Sequence, residues 1–200
     1  MEIAIKLLAI DCSLDACSVA LLVNNRISER FQIAPHQHSE LLLSMIDHLL
    51  IENSLTLKNL HAIALTIGPG AFTGLRIAAS VTQGLAFAAD LPVIFVSTLQ
   101  TIAQGIWRQQ GIKHTMITID AKMDEWYRGE YRLSADEFME PIVPDQLIKP
   151  DQIQFPDEKF IPHAQDIISL AKRKYQKGET ISADKVLPVY LRESTAWLKT

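Results

Sequence analysis

Short apolar runs closed by turn residues alternate, along most of the chain, with longer runs at helical spacing. Residues 6–11 (KLLAID) form a compact apolar run that ends in an acid, and residues 17–23 (CSVALLV) form a second. The CSLDA between them has the length of a hairpin connection. Asn24-Asn25 is a turn signal, and residues 26–34 (RISERFQIA) then alternate in polarity until Pro35 closes them. Three strands in succession on short turns predict an antiparallel meander.

Residues 38–51 (HSELLLSMIDHLLI) switch to helical spacing, with Ser39 as the expected cap. Leu42, Met45, Ile46 and Leu49 make the stripe, and Leu41, Leu43 and Leu50 widen it nearly all round. Such a helix is either deeply buried or covered by a partner. Residues 61–67 read as a fourth strand, followed by a glycine turn and a helix to about residue 89, where Asp90 and Pro92 break it. Residues 92–97 (PVIFVS) are a short buried strand. Residues 98–109 are a helix with Leu99, Ile102, Ala103 and Ile106 on one face. Strands alternating with helices predict an α/β sheet with helices packed on it.

Residues 116–120 (MITID) again end in an acid, and residues 125–133 (EWYRGEYRL) alternate like a solvent-facing strand. This opens a second lobe, so the chain divides into residues 1–109 and residues 110–200. Residues 134–162 are rich in proline and acids with little periodicity, residues 164–176 are a helix stopped by Gly178, and residues 188–192 (PVYLR) are extended. One theme recurs: an apolar strand, an acid at its end (Asp11, Asp120), then a hairpin or strand.

Composition narrows the function classes. With 200 residues, 48% of them hydrophobic and 21% charged, the chain can bury a core and is not disordered. Its net charge of −4 argues against gripping nucleic acid alone, since phosphate binding needs a basic face. No apolar run approaches the roughly 20 residues that span a bilayer. The first residues run straight into a strand without a signal-peptide layout, so a cytoplasmic setting is expected. Cys12 and Cys17 lie five apart, a spacing of no zinc or redox motif.

The glycine turn reads Gly68-Pro-Gly70-Ala-Phe-Thr-Gly74. It is not a P-loop, because no Lys-Ser/Thr follows, and it is one residue too long for the dinucleotide fingerprint. A structural role explains it better: Thr73 as a helix cap, Gly68 and Gly70 for a tight turn, Gly74 for close backbone approach. Small residues continue at Ala78, Ala79, Ser80 and Gly84, a face that admits a neighbouring helix. His36, His38 and Glu40 read as a polar helix start rather than a metal cluster. Cys12 has no sequence-adjacent base and reads as a structural cysteine. Asp11 and Asp120 could face one cleft between the lobes and hold a hydrated Mg²⁺ and phosphates. Strand-end aspartates are also common turn residues.

Several segments, in order along the chain, resemble one family: LLAIDCSLDACSVAL, HSELLLSMIDHLL, IGPGAFTGLRIAASVTQGLAFA, PVIFVSTLQTIA, IDAKMDEWYRGEY and PVYLRESTAW. They are similar to the bacterial TsaB family, also called YeaZ. The resemblance implies an α/β fold of the actin-like, Hsp70-like ATPase class, with two ribonuclease-H-like lobes. Residues 133–164 are shorter than is usual in the family, so the second lobe is expected to be reduced. It further implies a role in forming threonylcarbamoyladenosine at position 37 of tRNAs that read codons beginning with A.

By that resemblance the chain is not the catalyst but the partner of the transferase TsaD, working with the ATPase TsaE and meeting tRNA only through the complex. TsaD holds a metal with two histidines after the strand equivalent to residues 92–97. Here Thr98, Leu99, Gln100 and Thr101 follow. No metal and no catalytic residue are therefore expected, and an older M22 glycoprotease-like reading fails at the same place. The implied partner surface is the pair of helices at residues 38–51 and 73–88, with His38, Leu42, Met45, Leu49, Gly74, Arg76, Ala78, Ala79 and Gln83 as contacts. The same surface is expected to make a homodimer when the chain is alone. A nucleotide cleft would involve Asp11, Ser13 and Asp120, with no tightly bound cofactor and ATP or ADP at the contact with TsaD. The alternative is a small ATPase or kinase-like enzyme using Asp11 and Asp120.

Overall fold

A computed structural model describes residues 5–149 and 160–191. Strands β1 (Leu7–Asp11), β2 (Ala16–Val23) and β3 (Arg26–Ile33) form the expected antiparallel meander. Asn24 and Asn25 join β2 to β3 with φ of 50° and 60°, the geometry of a tight hairpin loop. β4 (Ala62–Thr66) adds parallel to β1, and β5 (Val93–Val96) adds parallel to β4. The order is β3-β2-β1-β4-β5.

Every residue of β1 and β4 is buried, because helices cover both faces of the sheet. Leu8, Ile10, Val19, Leu21, Ile63 and Leu65 share a core with α1 (His38–Glu52) and α2 (Phe72–Ala89). Alternate residues, among them Leu7, Ala9, Ala20, Ala62 and Ile94, pack against α4 (Ala164–Gln176) on the other face. Ile167, Ile168 and Leu170 of α4 are buried there, each worth about 1.5–3 kcal/mol over an exposed position. Although α4 falls in the sequence range expected to build the second lobe, it lies on the first sheet. It is fixed to α3 (Thr98–Gln110) by Arg108, whose Nε and Nη2 donate to Asp166 at 2.7 and 3.0 Å.

The second sheet is a meander of β6 (His114–Lys122), β7 (Glu125–Leu133) and β8 (Met139–Ile148), with α3 on one face. The sequence pattern misses β8, because Pro141 and Pro144 interrupt its alternation. An edge strand tolerates both, and the register shifts opposite β7 absorb them.

Two further expectations change. Gln37, not Ser39, precedes α1, and Ala71, not Thr73, precedes α2, neither with a side-chain cap bond. The apolar girdle of α1 is split: Leu42, Met45, Ile46, Leu49 and Leu50 are buried in this chain's core, while Leu43 and Ile51 are 54% and 64% exposed. In residues 188–191 the Val189 N–H donates to the Ile67 carbonyl at 2.9 Å; Arg192 lies outside the described residues.

Candidate functional site

β1, β4 and β5 run parallel, and their carboxyl ends bring Asp11, Thr66 and Ser97 to one edge of the first sheet. Ligands in open α/β sheets favour this edge. Asp11 is fully buried there. Its Oδ1 accepts from the hydroxyls of Thr66 and Ser13, the latter at 2.7 Å, and its Oδ2 has no hydrogen-bond partner among the described residues. Burial raises its carboxyl from the ordinary 3.8 to about 6, against the lowering effect of the two hydroxyls.

The β1–β2 hairpin loop is held from every side. The Ala71 N–H at the start of α2 donates to the Ser13 carbonyl at 2.7 Å, and the Ala34 N–H donates to that of Asp15 at 2.9 Å. His38 Nε2, opening α1, lies 2.9 Å from the Leu14 carbonyl oxygen and 3.2 Å from that of Ala16. Both oxygens can only accept, so Nε2 carries the hydrogen. A Cβ on Gly70 would stand 2.3 Å from the Ser13 oxygen, and one on Gly74 would stand 1.9 Å from the Cys12 oxygen. Only residues without a Cβ let the two backbones meet so closely.

These contacts answer what the glycine turn is for. A phosphate at a helix N-terminus needs free N–H groups, yet the Ala71 N–H already has the Ser13 carbonyl. A hydrated magnesium needs an accessible carboxylate, yet Asp11 is sealed beneath two hydroxyls. In this arrangement Asp11 is not presented to a metal ion and the Ala71 N–H is not free for a phosphate. The turn is a packing device that seats α2 on the hairpin.

A family model for TsaD, tRNA N6-adenosine threonylcarbamoyltransferase, matches residues 24–197. The chain is 32% identical over 225 residues to the tRNA threonylcarbamoyladenosine biosynthesis protein TsaB of Escherichia coli strain K12, covering 97% of each. It is 34% identical over 228 residues to the protein of that name from Haemophilus influenzae, covering 98% of this chain and 97% of the other. The chain belongs to the TsaB/YeaZ family. A solved structure of YeaZ from Pseudomonas aeruginosa superposes with a TM-score of 0.88 at 38% identity, covering 94% of this chain and 100% of that one. The α/β fold is thus the actin-like, Hsp70-like ATPase class with a reduced second lobe. Both alignments are longer than the 200 residues of this chain, so gaps open within it.

Of the two strand-end acids, Asp120 is exposed at the β6–β7 end, with its carboxylate on the Lys122 N–H and Nζ at 2.7 and 2.8 Å. Among the described residues no three of His, Cys, Asp or Glu gather as a metal site, and Asp120 is not joined to buried Asp11 in one. Of the expected partner contacts, His38, Leu42, Met45, Leu49, Gly74, Ala78 and Ala79 are all buried within this chain. As placed, their side chains face this chain's own interior rather than solvent. Arg76 is exposed and Gln83 half-buried. Arg76 lies over the Phe72 ring at 3.8 Å and donates to Tyr190 Oη at 3.0 Å, while Gln83 donates to the Ala183 carbonyl at 3.1 Å. The outer surface of the two helices instead carries Leu43, Ile51, Phe72 and Phe87, the last 81% exposed.

Sequence reasoning missed a cluster beside the site. Ser97 caps α3, its Oγ accepting from the N–H groups of Leu99 and Gln100 at 3.1 and 3.3 Å. The same hydroxyl donates to Asp145 Oδ2, and Tyr131 Oη donates to Oδ1. Burial raises the Asp145 carboxyl, and burial beside that carboxylate raises the Tyr131 phenol. The cluster ties β7 and β8 to the first turn of α3. The serine before a helical run was a visible capping signal, but Asp145 lay in a stretch without readable period.

Proposed function

We propose that this chain is the non-catalytic partner subunit of TsaD in forming threonylcarbamoyladenosine at position 37 of tRNAs reading codons beginning with A. It acts in the cytoplasm, with TsaE as a further component and tRNA engaged only through the complex. The observation that carries the reading is the chemistry of residues 98–101. Where the transferase is expected to hold its metal with two histidines, this chain has Thr98, Leu99, Gln100 and Thr101. Thr98 and Thr101 are buried, and Thr101 Oγ1 donates to the Ser97 carbonyl at 2.9 Å, closing the first turn of α3. Two hydroxyls and a glutamine side chain make a poor site for a catalytic metal. The exposed apolar positions on α1 and α2 supply the surface for TsaD, and for a second copy of the chain when TsaD is absent.

Reconstitution tests this reading. Unmodified tRNA and threonylcarbamoyl adenylate are incubated with this chain alone, with TsaD and TsaE, and with all three, and the nucleosides are measured. Modified adenosine is expected at catalytic rates only with all three. Modification by this chain alone would overturn the proposal.

A further inference from the structure

Cys12 and Cys17 follow the last β1–β2 ladder pair, Asp11 with Ser18, and stand opposite each other at the mouth of the hairpin. Both are fully buried, and their Sγ atoms are 3.8 Å apart. A disulfide bond is about 2.05 Å long, so each sulfur needs to move by only about 1 Å. The chain holds two cysteines in all, so neither has another intramolecular partner. We propose that this pair is a redox modification site, converted by hydrogen peroxide into a Cys12–Cys17 disulfide.

Peroxide suits the place, because it is neutral and close to water in size, while the thiols are closed to bulky oxidants. The two sulfurs face each other at contact distance, so whichever thiol is oxidised first has the other as its resolving partner. One thiol loses its proton and attacks one peroxide oxygen. The O–O bond breaks, that cysteine becomes a sulfenic acid, and the departing hydroxide takes up the proton as water. The second Sγ then attacks the oxidised sulfur. The S–O bond breaks, the second thiol's proton leaves with the hydroxyl as a second water, and the S–S bond forms. Two electrons pass from the thiols to the peroxide.

The full chain, fully reduced, is exposed to hydrogen peroxide, quenched with catalase, unfolded and treated with N-ethylmaleimide. The expected intact mass shows a loss of two hydrogens and no maleimide adduct, and dithiothreitol restores both adducts. In Cys12→Ala and in Cys17→Ala the remaining thiol is expected to go no further than the sulfenic acid, trapped by dimedone, with no intramolecular disulfide. Circular dichroism checks that the variants fold; if one does not, the mass of the wild-type chain decides alone. Two maleimide adducts after peroxide, sulfinic acid on the wild-type chain, or a disulfide between two chains would overturn the proposal.

Discussion

At the scale of single residues, two positions at the hairpin carry opposed physics. Gly74→Ala places a methyl 1.9 Å from the Cys12 backbone oxygen, next to the last β1–β2 ladder pair. A loss of about 2–4 kcal/mol is expected in denaturant unfolding, from overpacking against backbone that cannot move aside. Gly84 sits in the same helix with nothing within 4 Å of its Cβ site, so Gly84→Ala is expected to gain about 0.5–1 kcal/mol. The sequence showed that Gly74 permits close approach, but not that Cys12 is what it approaches. Asp11 supplies a pH effect. Its folded carboxyl titrates near 6 against 3.8 for an aspartate in water, because burial disfavours the charge. The folded chain therefore holds this proton more tightly, and the stability tied to it falls as pH rises from 3.8 through 6. The stability difference between wild type and Asp11→Asn is expected to shift by about 2 kcal/mol in the variant's favour from about pH 4 to about pH 7. A difference that stays flat across that range would contradict this account of Asp11.

At the scale of elements, helix identities were legible because apolar spacing over a dozen residues is a strong local signal, as in α3 and α4. Their ends were less so. Ser39 and Thr73 are good capping residues by type, but contacts with the hairpin, from the His38 side chain and the Ala71 N–H, stand at the starts of α1 and α2. β8 was hidden by Pro141 and Pro144, whose tolerance depends on an edge position that only the assembled sheet defines. The Asp166–Arg108 pair was equally invisible, since it joins residues 58 apart. It can be tested as a clamp between α3 and α4. Arg108→Met leaves a nearly fully buried carboxylate without its partner and is expected to cost about 2–3 kcal/mol, moderated because the guanidinium is partly in water. Asp166→Asn in the same chain is expected to recover much of that loss. Urea titrations of the single and double variants give the comparison, and equal losses in both would show that the ion pair is not the source.

At the scale of the whole molecule, α1 and α2 each have an inner face that builds the core and an outer face left to solvent. The nearly all-round apolar character of α1 pointed either to deep burial or to a partner, and the stripe expected to meet a partner lies in this chain's own core. The buried half is the regular stripe, which pattern analysis finds first; the outer half is scattered over Leu43, Ile51, Phe72 and Phe87. Under the proposed function, this division separates folding from assembly. Ala79 is 6% exposed and sits in the core cluster with Leu8, Ile63 and Leu65, so Ala79→Arg buries an unpaired charge and is expected to unfold the chain. Leu43→Arg and Phe87→Asp change side chains that are 54% and 81% exposed. Each is expected to leave stability within about 0.5 kcal/mol of the parent. Each is also expected to weaken binding to TsaD by at least about tenfold, roughly 1.4 kcal/mol, by putting a charge into an apolar contact. Thermal melts followed by circular dichroism report the first effect, and titration against immobilised TsaD reports the second. Light scattering on the isolated chain tests whether the same two changes also reduce self-association. If both surface variants stay folded and bind TsaD like the parent, the outer face of α1 and α2 is not the contact surface.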